Sequence, residues 1–219
     1  MSGELWQDID AYWDGVLIGD DPALDAARKA NADAGLPDIA VASNQGKLLN
    51  LMARMIGARR ILEVGTLGGY SAIWLARALP DGGELVTLEY NPKHADVARA
   101  NIANAGLADK VTVITGAAID TLPTLKGPFD FSFIDADKRS NPDYFRWALK
   151  LSRKGSVIVV DNVVRWGRVL EAASGDPDVE GIRRLNEIMA AEPRVSATAI
   201  QTVGAKGHDG LAVALVVAD

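Results

Sequence analysis

The residues best suited to chemistry lie in two short polar stretches, each directly after an apolar run. Asp135 follows the run 129–134, and Asp161 and Asn162 follow the run 156–160. If the two runs are neighbouring strands, their ends lie only about 5 Å apart. Two carboxylates and one amide then meet at one point, an arrangement typical of Mg²⁺ when water or substrate oxygens supply the remaining ligands. The sequence therefore predicts that these three side chains bind Mg²⁺ or another divalent cation such as Mn²⁺ or Ca²⁺.

A plainer interpretation of these acids stays open, because carboxylates at strand ends also cap helices or bind water. The presence of both stretches favours the metal site over this alternative. Lys138 lies three residues beyond Asp135 and can reach the same point. An ammonium group beside a dication is repelled, which favours the neutral amine and makes Lys138 a candidate general base. An ordinary surface lysine at the start of a helix is an equally good interpretation.

A glycine-rich turn follows the first apolar run, 60–64, and extends from Glu63 to Gly69. Glycine lets the backbone turn sharply and approach a ligand closely. Leu67 stands at the second glycine position of the dinucleotide fingerprint, so the turn suits a nucleoside without phosphates. Glu89 ends the next apolar run, about where an acid holds ribose hydroxyls in nucleotide-binding sheets. A purely structural turn and a solvated acid are the alternatives, and the combination of the two features favours the ribose role.

Composition and charge exclude several other chemistries. The 219 residues include no cysteine and two histidines, His94 and His208, so disulfides, thiolate zinc sites and cysteine nucleophiles are excluded. A formal net charge of −6 without a cluster of Lys and Arg argues against a nucleic-acid partner. No apolar run approaches the ~18 residues of a membrane span, and the first residues do not resemble a signal peptide. We therefore expect a cytoplasmic protein with no membrane contact.

The elements that must position these residues follow from the apolar spacing. Residues 1–57 repeat apolar side chains at helical steps, which predicts a group of N-terminal helices. In residues 58–219, short apolar runs alternate with helical stretches, as in a doubly wound α/β sheet with parallel strands. We expect these two parts to form a single domain, 1–219.

The last two apolar runs, 195–202 and 211–217, have no helix between them. A glycine-rich link, 204–210, joins them and contains His208, which we expect to be a loop residue. This pattern predicts an antiparallel hairpin at the edge of the otherwise parallel sheet.

Taken in order, the motifs are Glu63-Val64-Gly65 to Gly69-Tyr70-Ser71, Glu89-Tyr90-Asn91-Pro92, Gly116-Ala117, Phe133-Ile134-Asp135-Ala136-Asp137-Lys138, Asp161-Asn162 and Asp209-Gly210. This set resembles the cation-dependent O-methyltransferases, the family of the caffeoyl-CoA and catechol O-methyltransferases. The likeness runs from about residue 39 to the end of the sequence. The first two motifs are shared by many methyltransferases, whereas Asp-Ala-Asp-Lys together with Asp-Asn points to this family.

The resemblance implies a Rossmann-like methyltransferase sheet and S-adenosylmethionine as methyl donor. The cofactor residues that it implies are Val41, Glu63, Gly65, Gly69, Ser71, Glu89, Ala117, Ala118 and Asp135. Asp135, Asp161 and Asn162 fall on the family's metal ligands, and Lys138 falls on its general base. The implied reaction is the Mg²⁺-dependent transfer of a methyl group to a hydroxyl of a small catechol-like phenol.

The acceptor side matches the family less closely. The stretch 165–178 matches nothing, and we expect it to form a wall of the substrate site. Trp166 is the candidate for stacking on an aromatic acceptor, although a tryptophan packed within the loop is an equally good interpretation. Asp209 is a second candidate for contact with the acceptor. Ile119 and Ala136 depart from the residues of the catechol branch.

Two other functions stay open at this point. One is a nucleotide-dependent oxidoreductase on the same sheet, and Leu67 argues against it. The other is a non-catalytic protein that binds S-adenosylmethionine, and the intact set of Asp135, Lys138, Asp161 and Asn162 argues against it. The N-terminal helices are apolar enough to pack on a second copy, and members of the resembled family often dimerise, so we expect a homodimer.

Overall fold

The structure is a computed structural model that describes residues 3–219. Its α-helices are α1 (Gly3–Trp13), α2 (Pro22–Asp33), α3 (Ser43–Met55), α4 (Tyr70–Ala76), α5 (Pro92–Asn104), α6 (Ala118–Thr121), α7 (Asn141–Lys150) and α8 (Pro177–Ala191). Its strands are β1 (Arg60–Val64), β2 (Glu84–Glu89), β3 (Val111–Thr115), β4 (Phe129–Ile134), β5 (Ser152–Asp161), β6 (Val195–Gly204) and β7 (Gly207–Val216). A π-helical turn, Asp14–Ile18, follows α1, and 3₁₀ turns lie at Leu122–Thr124, Lys138–Ser140 and Arg165–Leu170.

The strands form a seven-stranded sheet in the order β3-β2-β1-β4-β5-β7-β6. Strands β1 to β5 pair in parallel, while β7 pairs antiparallel with both β5 and β6. The fold class predicted from the sequence, a mostly parallel doubly wound sheet with an antiparallel edge hairpin, is confirmed. Because β4 and β5 are neighbours, the polar stretches that follow them start side by side at the carboxyl edge of the sheet.

The C-terminal hairpin is longer than predicted, and the expected link 204–210 is wrong. Backbone pairing between β6 and β7 continues to the end of both strands, so residues 205–206 alone form the turn. Gly207 closes this tight turn with a φ of 95°, a conformation that favours glycine. His208 and Asp209 therefore lie in β7, not in a loop.

Helices cover both faces of the sheet and bury its central strands. Phe131 and Phe133 of β4 pack on one face in the same apolar cluster as Ile73 of α4. Ile134 packs on the other face together with Phe145 of α7. All six residues of β4 are buried, including the polar Asp130 and Ser132, so both faces of the strand are covered. The strand therefore places the backbone of the following acidic stretch in a fixed position.

The N-terminal helices pack against the rest of the chain. Asp10 of α1 is buried and accepts a hydrogen bond from Asn44 Nδ2 at 2.7 Å. The same carboxylate accepts the backbone N–H of Ala205, in the hairpin turn, at 2.7 Å. Helix α1 is thereby joined to both α3 and the β6–β7 turn. Between residues 3 and 219, no helix has the length and apolar character needed to cross a membrane.

Candidate active site

Two adjoining cavities open at the carboxyl edge of the sheet. The first, which we call the turn cavity, has a volume of about 760 Å³ and is lined by the glycine-rich turn, Glu89 and the start of α6. The second, which we call the hairpin cavity, has a volume of about 660 Å³ and lies between α1, α3 and the β6–β7 turn. Their shared wall consists of Ile39, Ala40, Val41, Asp135, Asn162 and Arg165. A ligand in one cavity can therefore meet a ligand in the other at Asp135 and Asn162.

Backbone strain is concentrated around these cavities. Leu67, Asn162, Arg165 and Trp166 are the non-glycine residues with positive φ between residues 3 and 219, with values from 49° to 59°. Each of them lines at least one of the two cavities. Left-handed backbone at bulky residues costs about 1–3 kcal/mol each and clusters at functional sites. The distribution of strain thus identifies the carboxyl edge of the sheet as the functional part of the molecule.

The predicted metal and base residues lie together at the shared wall. Lys138 Nζ lies 2.6 Å from Asp135 Oδ1, and only 7% of Lys138 is exposed, so the interpretation as a surface lysine is wrong. Asp161 is also buried; Gln45 Nε2 donates to its Oδ2 at 2.7 Å and the Asn162 N–H to its Oδ1 at 2.7 Å. Burial and the nearby Asp135 carboxylate together raise the pKa of Asp161 well above its ordinary value. The site therefore concentrates negative charge where water is scarce.

A hard divalent cation fits this donor set. Residues 3–219 contain no group of three or more His, Cys, Asp or Glu side chains that could hold a metal by themselves. The set at the shared wall has two carboxylates and one amide, Asp135, Asp161 and Asn162, so a cation there must take further oxygens from water or substrate. This is the usual coordination of Mg²⁺ in proteins. Lys138 is paired with Asp135, and within residues 3–219 the Asp161 carboxyl group has no cationic partner in hydrogen-bond range.

The glycine-rich turn is held tightly against the end of β4. Gly65 has a φ of 98°, and a Cβ at this position would lie 2.2 Å from the backbone oxygen of Asp135. A side chain there would push the turn away from the acidic stretch, so glycine is required. Gly69 has a φ of 83° and packs against Ala98 of α5 instead of lining a cavity. Of these two predicted cofactor residues, only Gly65 is at the surface of the turn cavity.

Glu89 lines the turn cavity and also supports its wall. Its Oε2 accepts the backbone N–H groups of Thr66 at 3.2 Å and Leu67 at 2.8 Å, and its Oε1 accepts that of Asn91 at 2.9 Å. The carboxylate therefore fixes the glycine-rich turn relative to β2. Its Oε1, which accepts one of these N–H groups, keeps lone-pair capacity for a ligand hydroxyl.

Glu63, at the start of the glycine-rich turn, is fully buried and lines neither cavity. Thr87 Oγ1 donates to Glu63 Oε2, while Glu63 Oε1 is buried without a hydrogen-bond partner among the residues that the structure describes. Burial raises the pKa of Glu63 to about 7, and the hydrogen bond from Thr87 opposes this shift. An unpartnered buried oxygen of this kind suits a donor brought by a ligand.

The pH dependence of stability tests this environment. The folded protein keeps the Glu63 proton up to pH of about 7, whereas the unfolded chain loses it near its ordinary pKa of 4.5. The free energy of unfolding of the cofactor-free protein, relative to a Glu63→Gln variant, is therefore expected to fall by ~3 kcal/mol as pH rises through this window, at about 1.4 kcal/mol per pKa unit. Urea unfolding of both proteins between about pH 4 and about pH 8 measures the difference. Parallel stability curves would contradict the raised pKa.

The remaining predicted site residues divide between the two cavities. Ser71, Ala117 and Ala118 line the turn cavity, and the buried Val41 lines both. Trp166 and Asp209 line the hairpin cavity.

Trp166 is 63% exposed, so the interpretation as a tryptophan packed within the loop is not supported. Asp209 Oδ1 accepts the backbone N–H groups of Val164 at 2.9 Å and Arg165 at 3.0 Å. The carboxylate of Asp209 thus holds the segment that carries Trp166.

Sequence reasoning missed several residues of the site. Gln45 contacts Asp161 across 116 positions of the chain, and nothing in the local sequence of α3 indicates this contact. Trp13, at the end of α1, lines the hairpin cavity. Gly181 of α8 packs directly on the turn that carries Lys138. Of these three residues, only Gly181 could have been found from the sequence, because an isolated glycine inside a helical pattern indicates a close packing contact.

Comparison with known proteins identifies relatives over most of the chain. A family model described as O-methyltransferase matches residues 16–215. The chain is 58% identical to a catechol O-methyltransferase of Mycobacterium tuberculosis, with 95% of each chain covered. It is 51% identical to a catechol O-methyltransferase of Niastella koreensis, with 99% of this chain and 100% of the relative covered.

Solved structures give the same result. The structure is similar to an O-methyltransferase from Bacillus cereus in complex with SAH, with a TM-score of 0.97 and 56% identity over 98% of this chain and 100% of that one. It is also similar to the O-methyltransferase TomG from Streptomyces achromogenes in complex with SAM, with a TM-score of 0.96 and 51% identity over 99% of each chain. These relatives favour a methyltransferase over a nucleotide-dependent oxidoreductase. The chain belongs to the O-methyltransferase family.

Proposed function

We propose that this O-methyltransferase moves a methyl group from S-adenosylmethionine to a hydroxyl of a small catechol-like phenol, with the help of Mg²⁺ or another divalent cation. The observation that carries this proposal is the junction of the two cavities. Asp135 and Asn162 belong to both cavities, and the buried Lys138 is paired with Asp135 at this point. A donor in one cavity and an acceptor in the other would meet beside a candidate base.

The turn cavity suits the donor. Its glycine-rich turn, with Leu67 in place of a glycine needed beside a pyrophosphate, accommodates a nucleoside without phosphates. Glu89 offers acceptor oxygens for the ribose hydroxyls, and Ala117 and Ala118 leave room for a flat base. Glu63 begins this turn, and its unpartnered oxygen would stabilise a positively charged amino group of the donor. Relatives solved with SAH and SAM support the same assignment.

The hairpin cavity suits the acceptor. Its apolar and aromatic lining includes Trp13, Leu48 and Trp166, which can pack against an aromatic ring. Its floor carries Asp161 and Asn162 beside the shared wall. Two curated relatives named catechol O-methyltransferase support a vicinal diol as the acceptor.

The residues at the junction define the chemistry. A divalent cation held by Asp135, Asp161 and Asn162 would lower the pKa of a coordinated phenol. The acceptor oxygen attacks the methyl carbon in line with its bond to sulfur, so the O–C bond forms, the S–C bond breaks and its electrons stay on sulfur. The hydroxyl proton passes to Lys138 Nζ as the neutral amine. By aligning the two reactants, the cavity walls lower the activation free energy of such a step by up to about 7–11 kcal/mol.

Two measurements on the intact protein test the function. Isothermal titration with S-adenosylmethionine measures donor binding, and mass spectrometry measures methyl transfer to catechol with Mg²⁺, with EDTA, and after Mg²⁺ is restored. We expect binding of the donor, turnover with Mg²⁺, loss of turnover in EDTA and recovery on adding the metal back. Full activity in EDTA would remove the cation from the mechanism. Donor binding without turnover of a broad phenol panel would instead support a non-catalytic role.

A homodimer is part of the proposal and has its own test. Exposed apolar side chains cluster on α1 and the following turn, at Tyr12, Val16 and Leu17. Large exposed apolar patches on soluble proteins mark interaction surfaces. Light scattering is expected to give twice the chain mass of 23.2 kDa for the wild type, and the single-chain mass for Leu17→Glu. Leu170→Glu, at an 84% exposed position outside this patch, is the control and stays dimeric. A monomeric wild type overturns the dimer.

A further inference from the structure

The charged side chains that line the hairpin cavity are almost all engaged with partners. Asp10 accepts from an amide side chain and a backbone N–H, and Asp209 accepts from two backbone N–H groups. Lys206 Nζ lies 2.9 Å from Asp38 Oδ1 across the cavity rim. The hydrogen-bonding capacity of these groups is taken up within the protein, and Lys206 is already paired, so none of them is a free cation for a ligand.

Arg165 is the exception. Its side chain has no ion pair or hydrogen bond within residues 3–219, although the residue is partly buried and lines both cavities. The other Lys and Arg residues that line either cavity, Lys138 and Lys206, are each paired with an aspartate. Removing a cation from water without a partner is costly, so an unpaired arginine at a cavity wall is suited to an anion brought by a ligand.

The position of Arg165 is fixed by its neighbours. Its backbone adopts a φ of 54°, a strained conformation for a residue with a side chain. Its N–H donates to Asp209 Oδ1 at 3.0 Å, which holds the residue in that conformation. Asp209 lines the hairpin cavity and not the turn cavity, and so does Trp166, the residue that follows Arg165 in the sequence. The elements that position Arg165 thus belong to the acceptor side.

We propose that Arg165 recognises an anionic group on the acceptor, so that the preferred substrates are catechols that carry a carboxylate. This inference rests on the proposed function and narrows its substrate class. Arginine binds a carboxylate through two parallel N–H donors, which gives direction as well as charge. Neutral catechols leave Arg165 without a partner, and catecholamines place a second cation beside it.

Three acceptors separate these cases: 3,4-dihydroxybenzoate, catechol and dopamine. For the wild type, kcat/KM is expected to decrease in that order. In Arg165→Gln, the ratio of kcat/KM for 3,4-dihydroxybenzoate to that for catechol falls by about tenfold to a hundredfold, the usual loss for a hydrogen bond to a charged group. In Arg165→Glu, the preference shifts towards dopamine. Arg168→Gln is the matched control, because Arg168 lies in the same turn but is paired with Asp176 and lines neither cavity.

The possible outcomes are distinguishable. An unchanged ratio in Arg165→Gln overturns the inference, and so does a variant whose main defect is weaker binding of S-adenosylmethionine in isothermal titration. If the wild type methylates none of the three acceptors, the proposed function fails. Titration of 3,4-dihydroxybenzoate into the wild type and Arg165→Gln still decides the role of Arg165 in that case, since tighter binding by the wild type supports it and equal binding refutes it.

Discussion

Replacement of Lys138 by methionine is expected to lower kcat for methyl transfer by a factor of about 10²–10⁴, the usual contribution of a general base. Lys138 is buried beside Asp135 at the junction of the two cavities, and no other lysine lines the turn cavity. Methionine keeps the length and apolar stem of the side chain, so packing is preserved while the proton acceptor is lost. Initial rates with saturating S-adenosylmethionine and a catechol acceptor measure the effect.

The control for this variant is Lys126→Met, at an exposed lysine outside both cavities, which should keep wild-type rates. Donor affinity of Lys138→Met, measured by isothermal titration, should stay within a few-fold of the wild type because the loss belongs to the proton transfer. A variant that keeps more than about one tenth of the wild-type kcat would show that the base is another group.

Gly181→Ala is expected to lower kcat by about tenfold to a hundredfold, although Gly181 lines neither cavity. A Cβ at this position would lie 2.4 Å from the backbone oxygen of Lys138 and 2.6 Å from Arg139 Cα. The added methyl group therefore pushes helix α8 away from the turn that carries Lys138. The ion pair between Arg139 of this turn and Asp178 of α8 joins the two elements, so the turn moves with the helix. Misplacement of a catalytic group by about 1 Å typically costs up to 10²-fold in rate.

Overpacking of this kind also lowers the free energy of unfolding by about 1–3 kcal/mol. Thermal unfolding of both proteins is therefore measured first, and activity is then compared at a temperature where both stay folded. Gly15→Ala is the matched control, because a Cβ at Gly15 meets nothing within 4 Å. A Gly181→Ala protein with normal kcat but a lower melting temperature would show that α8 supports the fold without positioning the base.

The parts of the fold that depend on local pattern could be predicted from the sequence. Strand β4 is buried on both faces and is rich in phenylalanine, while Asp21 and Asn91 each cap a helix that begins with proline. The adjacency of β4 and β5 was a condition of the predicted metal site, and the observed pairing meets it by bringing Asp135 and Asp161 to the same edge.

The hairpin turn was mispredicted for a physical reason. Glycine, His208 and Asp209 are common in loops and depleted in strands, yet backbone pairing between β6 and β7 continues through them. The carboxylate of Asp209 finds its donors in the segment after β5, a tertiary contact across 45 positions of the chain. Contacts of this kind, like that of Gln45 with Asp161, depend on how whole elements pack and leave no local pattern. The cytoplasmic location, the single-domain boundaries and the individual roles of the site residues stay predictions.

The contact between Asp10 and the β6–β7 turn has a consequence for the order in which the protein is synthesised. The backbone N–H of Ala205 and the Asp10 carboxylate are separated by 195 positions of the chain. The residues that line the turn cavity all lie between positions 37 and 178, whereas the hairpin cavity needs residue 10 together with residues 201–211. Because chains emerge from the ribosome with the N-terminal part first, the turn cavity can form on a nascent chain, while the hairpin cavity closes only after the final hairpin has been released.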